Sequence, residues 1–118
     1  MGDALVTEIW TLQGLTGSTP GLLHHEGGRV RLELLDDDDE LRQVFAVPID
    51  AVEAVRWPKL QMSAGCSFVV GGEKYRISFL RPQNTRVLAA DAYGAVAGVA
   101  SISGGRSAGK VWRALLGG

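Results

Sequence analysis

The fold is decided by residues 66–80, which read CSFVVGGEKYRISFL. Two runs of β-forming residues flank the Gly71–Gly72 pair, a dipeptide typical of a tight hairpin turn. In the second run, Tyr75, Ile77 and Phe79 alternate with polar residues. Because successive side chains of a strand point to opposite faces, this alternation predicts an antiparallel hairpin with one buried face and one exposed face.

The same pattern continues toward the N-terminus and predicts further strands. Short apolar runs are separated by Gly, Pro or charged residues. They predict strands at about residues 4–15, 21–26, 29–35, 43–47, 49–57, 62–70 and 73–80. The acidic run Asp36–Glu40 predicts a solvated turn between the third and fourth strands, because like charges are not buried without partners.

The residue composition changes after Pro82 and then favours an α-helix. Residues 86–100 are mostly Ala, Val, Leu and Gly, and Asn84 or Thr85 is a suitable N-cap. Gly-rich residues 103–105 break this helix, and an amphipathic segment follows at 108–116. The sequence therefore predicts a mainly β domain of seven antiparallel strands, with a C-terminal α-helix.

Composition sets the class of protein. The chain has 118 residues, of which 46% are hydrophobic and 21% charged, as expected for a single globular domain. We predict that this domain spans residues 1–118, with strands over about 5–80 and a helical tail over about 85–116. The formal net charge of −1 argues against nonspecific binding of nucleic acid, which needs a broad field of Lys and Arg.

The compartment is predicted from the cysteine count and the N-terminus. A single cysteine, Cys66, excludes an intramolecular disulfide and is typical of a reducing compartment. The opening residues, MGDALVTEIW, lack the basic stretch and long apolar core of a signal peptide. We therefore predict a cytoplasmic protein, with peripheral attachment to a membrane as an alternative.

One segment has the spacing of a phosphate-binding loop. Residues 104–110 read GGRSAGK, but Val111 stands where a magnesium-binding Ser or Thr is needed. The sequence predicts no strand before the segment, and only eight residues follow it, too few for a nucleotide-binding sheet. We interpret it as a flexible joint between two helices.

Other reactive side chains are too sparse for an active site. A nucleophilic Cys66 needs a histidine beside it, and His24 and His25 are the only histidines. Asp36–Glu40 lacks the glycine and the distant glutamate of a calcium loop. We predict no catalytic residue, no metal and no cofactor, and interpret Cys66 as a small buried apolar residue.

Basic residues form the one patch that suggests a ligand. Arg56, Lys59, Lys74 and Arg76 lie on, or just after, the fifth and seventh predicted strands. They form a candidate surface for anionic headgroups or an acidic peptide. The Ala/Gly-rich residues 86–100 are an alternative surface for self-association, although Asp91 argues against a membrane span.

Several segments carry a resemblance to a known family. They are residues 20–23 (PGLL), 28–30 (GRV), 44–49 (VFAVPI), 74–79 (KYRISF) and 110–113 (KVWR). In this order, with a tryptophan in the last segment, they resemble the pleckstrin-homology-like (PH-like) domains, especially the GRAM-type and bacterial members. The resemblance covers residues 5–116.

The resemblance implies both a fold and a class of function. Members have an open, strongly bent pair of sheets that forms a barrel, and their C-terminal helix plugs one end. Val111, Trp112 and Leu115 would form the plug here. Members bind phosphoinositides, peptides or proteins. Those that bind phosphoinositides have basic residues between the first two strands, whereas residues 13–19 contain no Lys or Arg.

We therefore expect a noncatalytic binding or adaptor module that recognises a protein or peptide through a strand edge or the side of the C-terminal helix. Binding to an anionic membrane through Arg56, Lys59, Lys74 and Arg76 is the alternative. A small enzyme that uses Cys66 is a minor alternative.

Overall fold

The fold is seen in a computed structural model that describes residues 5–13, 17–58, 65–80, 102–103 and 105–117. These ranges contain eight strands and one α-helix. The strands are β1 (Leu5–Gln13), β2 (Gly17–Glu26), β3 (Arg29–Leu35), β4 (Leu41–Pro48), β5 (Glu53–Arg56), β6 (Gly65–Val70), β7 (Glu73–Ser78) and β8 (Ile102–Ser103). A 3-10 turn, Ile49–Ala51, joins β4 to β5, and the helix α1 is Gly105–Leu116.

The strands form one open sheet in the order β4-β3-β2-β1-β7-β6-β5. All seven are antiparallel to their neighbours, and β8 pairs in parallel with β1 at Val6 and Thr7. The predicted class is therefore confirmed: the protein is mainly β, with seven antiparallel strands and a C-terminal helix.

Two glycine pairs make the tight turns of this sheet. Gly27 and Gly28 have φ of 59° and 75°, and Gly71 and Gly72 have φ of 59° and 85°. Residues with a Cβ rarely adopt these values, so glycine is favoured at both turns. The hairpin predicted over 66–80 is confirmed, with Val70 opposite Glu73 and Cys66 opposite Ile77.

The main core lies between one face of the sheet, which we call the inner face, and α1. Its buried members include Ile9, Leu23, Val30, Leu32, Phe45, Phe68, Ile77, Phe79, Ala108 and Trp112. Trp112 is 0% exposed, and its indole Nε1–H donates to Thr7 Oγ1 at 2.8 Å. The polar end of this large side chain is therefore satisfied inside the core.

The opposite, outer face is also buried at its centre. Val6 is opposite His24 in the register, and both are buried on this face together with Trp10 and Leu22. Both faces of β1 and β2 are thus covered. The exposed parts of the outer face lie toward its two ends, on β3–β4 and on β5–β7.

The helix requires two corrections to the sequence interpretation. It begins at Gly105, so the predicted joint over 104–110 is helical from that residue onward. The buried face carries Ala108 and Trp112, with Leu115 packed partly against the core. Val111 does not belong to the plug, because it is 46% exposed and lies about 100° around the helix from Trp112.

The fifth predicted strand is also corrected. Residues 49–57 contain the turn Ile49–Ala51 and only a four-residue strand, Glu53–Arg56. Ala54 interrupts its pairing with a φ of 52°, and the register shifts between Glu53 and Arg56. The predicted helix over 86–100 and the residue Lys59 lie outside the described residues.

Candidate functional site

Three of the four predicted patch residues come together on the outer face. Arg56 on β5 is opposite Ser67 on β6, which is opposite Arg76 on β7, so the three side chains share a face. Lys74 precedes Arg76 by two residues and points the same way. We call Arg56, Lys74 and Arg76 the basic face.

The basic face extends both along strand β7 and across the sheet from β7 to β5. Alternate residues of a strand are about 7 Å apart, which separates Lys74 from Arg76 along β7. Arg56 lies two strand spacings, or about 10 Å, from Arg76 across the sheet. A depression of about 200 Å³ is lined by Ser67, Lys74 and Arg76, with Leu12 and Pro58 beside them. The surface is therefore concave as well as cationic.

The charges of the basic face are not neutralised by ion pairs. Arg56, Lys74 and Arg76 are all exposed. Among the described residues, the salt bridges involve only His24, Arg31, Arg42 and their acidic partners. The register also places the exposed Glu53 on this face, in the row of Lys74, so three positive charges and one negative charge make a field that is positive on balance and attracts anions.

Cys66 also lines this depression, although the residue is buried. Its register partner is Ile77, and its side chain belongs to the buried core. Burial raises the pKa of the Cys66 thiol to about 12. The thiol is therefore protonated at neutral pH, whereas a nucleophilic cysteine has to be a thiolate.

A second group of charged residues lies toward the other end of the outer face. His24 on β2 is opposite Arg31 on β3, and Glu33 is the next residue of β3 on this face. Glu33 Oε1 lies 2.6 Å from His24 Nε2, and Arg31 Nη2 lies 3.2 Å from His24 Nδ1. The buried His24 imidazole therefore bridges the Glu33 carboxylate and the Arg31 guanidinium group.

The partners of His24 determine its protonation state. Arginine only donates hydrogen bonds, so Nδ1 accepts, and Nε2 carries the hydrogen that is donated to Glu33. Burial, and then the positive charge of Arg31, lower the pKa of His24, although Glu33 acts in the opposite direction. His24 is 6% exposed and neutral at physiological pH.

A pocket of about 300 Å³ opens beside this network. It is lined by His24, Glu26, Arg29, Arg31 and Ala46. Arg29 Nη2 donates to the Ala46 carbonyl oxygen at 3.1 Å, so this side chain reaches across to β4. We call these five residues the His24 pocket. The pocket was not predicted from the sequence, although a hairpin turn at Gly27–Gly28 places His24 opposite Arg31.

The acidic turn is organised by its own hydrogen bonds. Asp36 Oδ1 accepts from the backbone N–H groups of Asp38 and Glu40, and Asp36 Oδ2 accepts from Arg42 at 2.6 Å. The pKa of Asp36 is lowered, mainly by the hydrogen bond from Arg42. Through these hydrogen bonds Asp36 stabilises the turn.

Both terminal strands of the sheet have features that disfavour the addition of another strand. In β4 the register shifts opposite Leu32 and Glu33, the Ala46 carbonyl already accepts from Arg29, and Pro48 has no N–H. In β5 only four residues pair, and Ala54 interrupts them. Bulges, short strands and prolines are common protections of sheet edges.

Two further properties concern metals and membranes. In the part of the chain that the structure describes, no three His, Cys, Asp or Glu side chains are grouped closely enough to hold a metal ion. No helix within the described residues has the length and apolar character needed to cross a bilayer.

Comparisons with protein-family models, with curated proteins and with solved structures find no match to this chain.

Proposed function

We propose that this protein is a noncatalytic binding module that recognises an acidic segment of a protein or peptide partner on its basic face. The observation that carries the proposal is a set of three exposed cations, Arg56, Lys74 and Arg76, that share one face and have no ion-pair partner among the described residues.

The dimensions of the basic face suit an extended acidic peptide. Same-side residues of an extended chain repeat every 7 Å or so, which is the spacing of Lys74 and Arg76. Carboxylates at alternate peptide positions would meet both cations, and Arg56 would contact the flanking residue. The protected edges of β4 and β5 favour this face as the docking surface over strand addition.

An anionic membrane is the second candidate partner. It is favoured by the same charges, and Lys59 adds a fourth by sequence. A flat headgroup surface would leave the 200 Å³ depression unfilled, whereas a peptide side chain would enter it. The concave shape thus favours the peptide.

The test measures binding of a fluorescently labelled peptide of alternating Glu and Ser by anisotropy at low salt. The Arg56→Gln/Arg76→Gln variant is expected to bind about tenfold more weakly, because two charge-assisted contacts are lost. The Arg42→Gln/Lys110→Gln variant makes the same change in net charge elsewhere and is the control. Equal weakening in both variants would show that net charge, not the basic face, binds the peptide.

Sedimentation with vesicles separates the two partners. We expect no difference between vesicles of phosphatidylcholine alone and vesicles that also contain phosphatidylserine. Binding to the phosphatidylserine vesicles without binding to the acidic peptide would replace the first proposal by the second. Absence of both would reject both.

A further inference from the structure

A second ligand site is indicated by two opposite charges that face each other without pairing. Glu26 and Arg29 are opposite residues at the end of the β2–β3 hairpin, where side chains on one face are close neighbours. No salt bridge joins them, and Arg29 instead donates to the Ala46 carbonyl oxygen on β4. The His24 pocket lies among these residues.

The basic side of this pocket is held in place. Arg31 uses one terminal nitrogen to donate to His24 Nδ1, and His24 is in turn fixed by Glu33. The Arg31 side chain remains 45% exposed, so its other N–H groups are available to a ligand. Arg29 and Arg31 are alternate residues of β3 on the same face, and Ala46 opposite Arg31 contributes only a methyl group.

The charges of the pocket are balanced, and only one of its acids is paired: Glu33 Oε1 lies 3.9 Å from Arg31 Nη2, whereas Glu26 makes no salt bridge among the described residues. Two guanidinium groups, Arg29 and Arg31, are offset by Glu26 at the lining and Glu33 behind His24. A dianion such as phosphate would meet two carboxylates without a net positive charge to compensate them. A ligand that is itself neutral overall but dipolar would match both the charge sum and its separation.

We propose that the His24 pocket binds a small amino-acid zwitterion. The ligand carboxylate contacts Arg29 and Arg31, and its ammonium group donates to Glu26. Arginine binds carboxylates through paired N–H groups, and the volume of about 300 Å³ is at the lower end of ligand pockets in proteins. This site is independent of the basic face.

The test uses NMR titration of the full chain with L-alanine, acetate, methylammonium and inorganic phosphate as separate probes. L-Alanine is expected to give saturable shifts at the amides of His24, Arg31 and Ala46, with tighter binding than any other probe. Acetate or phosphate binding as tightly as L-alanine would overturn the zwitterion assignment. Absence of saturable shifts at these amides would overturn the site.

Variants assign the two ends of the ligand. Glu26→Gln is expected to weaken L-alanine binding about fivefold and to leave acetate binding unchanged, since only the ammonium contact is altered. Arg31→Gln is expected to weaken both about tenfold. Arg76→Gln, on the basic face, is the matched control and should weaken neither. An unchanged L-alanine affinity in Glu26→Gln would contradict the proposal.

The amide spectra also keep the two sites apart. Each variant's spectrum first shows whether it retains the native fold, and Arg29→Gln replaces Arg31→Gln if the latter does not. Acidic peptide is expected to shift amides around Lys74, and L-alanine those around Arg31. Failure of either titration therefore leaves the other result intact.

Discussion

The inner and outer faces of the sheet use similar strands for different purposes. The inner face buries Trp112 among apolar side chains, and its indole N–H donates to the hydroxyl of Thr7. The outer face is exposed toward both ends, where Arg31 and Arg76 lie. We therefore expect substitutions at Trp112 to affect mainly stability, and substitutions at the exposed ends of the outer face to affect mainly the proposed ligand binding.

The largest expected effect is on the inner face. Trp112→Ala should lower the free energy of unfolding by about 3–5 kcal/mol, the usual loss when a buried large aromatic side chain is removed. Urea unfolding measures it. Val111→Ala on the exposed side of α1 is the neighbouring control and should change stability by less than about 0.5 kcal/mol. Similar losses in the two variants would contradict the assignment of the buried helix face.

The hydrogen bond inside the core gives the next effect. Thr7→Val keeps the shape of the side chain but leaves the Trp112 N–H without an acceptor, which should cost about 1–3 kcal/mol in unfolding free energy. Thr7→Ser retains the hydroxyl, so it should keep most of the unfolding free energy that the hydrogen bond contributes. If Val is tolerated as well as Ser, the bond does not contribute to stability.

The outer-face imidazole should make stability depend on pH. The folded-state pKa of His24 lies below its ordinary value of 6.5, so the unfolded chain binds the proton more readily. Stability should be fully present above that value and decline as pH falls from it toward the folded-state pKa. Arg31, Glu33 and Glu26 are the charged groups that act on His24.

Urea unfolding between about pH 5 and 8 measures this dependence, because that pH range brackets the ordinary histidine pKa. His24→Gln keeps polar atoms at the site but does not titrate, so its stability should vary less across that range. An identical pH profile in the variant would assign the dependence to other groups.

The smallest effect is expected on the basic face. Arg56→Gln/Arg76→Gln should change the unfolding free energy by less than about 1 kcal/mol, because both residues are exposed and unpaired in the described structure. The same variant is expected to bind the acidic peptide about tenfold more weakly. A large loss of stability would show that the two faces are not functionally separate.

Local signals made most of the fold predictable. The Gly–Gly turns and the alternation after them predicted the two hairpins, and the amphipathic pattern of residues 108–116 predicted the C-terminal helix. The start of α1 was less predictable, because Gly105 and Gly109 are poor helix formers and packing of Ala108 and Trp112 on the core overrides that preference. Within residues 49–57, neither the turn Ile49–Ala51 nor the positive φ of Ala54 was apparent from the local sequence pattern.

The candidate sites differ in the same way. Lys74 and Arg76 were identifiable because they alternate outward on the predicted seventh strand, and Arg56 because it lies on the predicted fifth strand. The His24 pocket required the register of three strands, and its key contact, Arg29 to the Ala46 carbonyl, spans 17 residues. Residue type alone gives no indication of where a long arginine side chain ends.

The bond between Thr7 and Trp112 also bears on how the chain reaches this structure, since it joins residues separated by 105 positions. β1 lies at the centre of the sheet and pairs with β7, which follows it by more than 60 residues. Such distant contacts close large loops, which slows folding. During synthesis, β1 would wait for both β7 and α1 before its central position and its inner-face packing were complete.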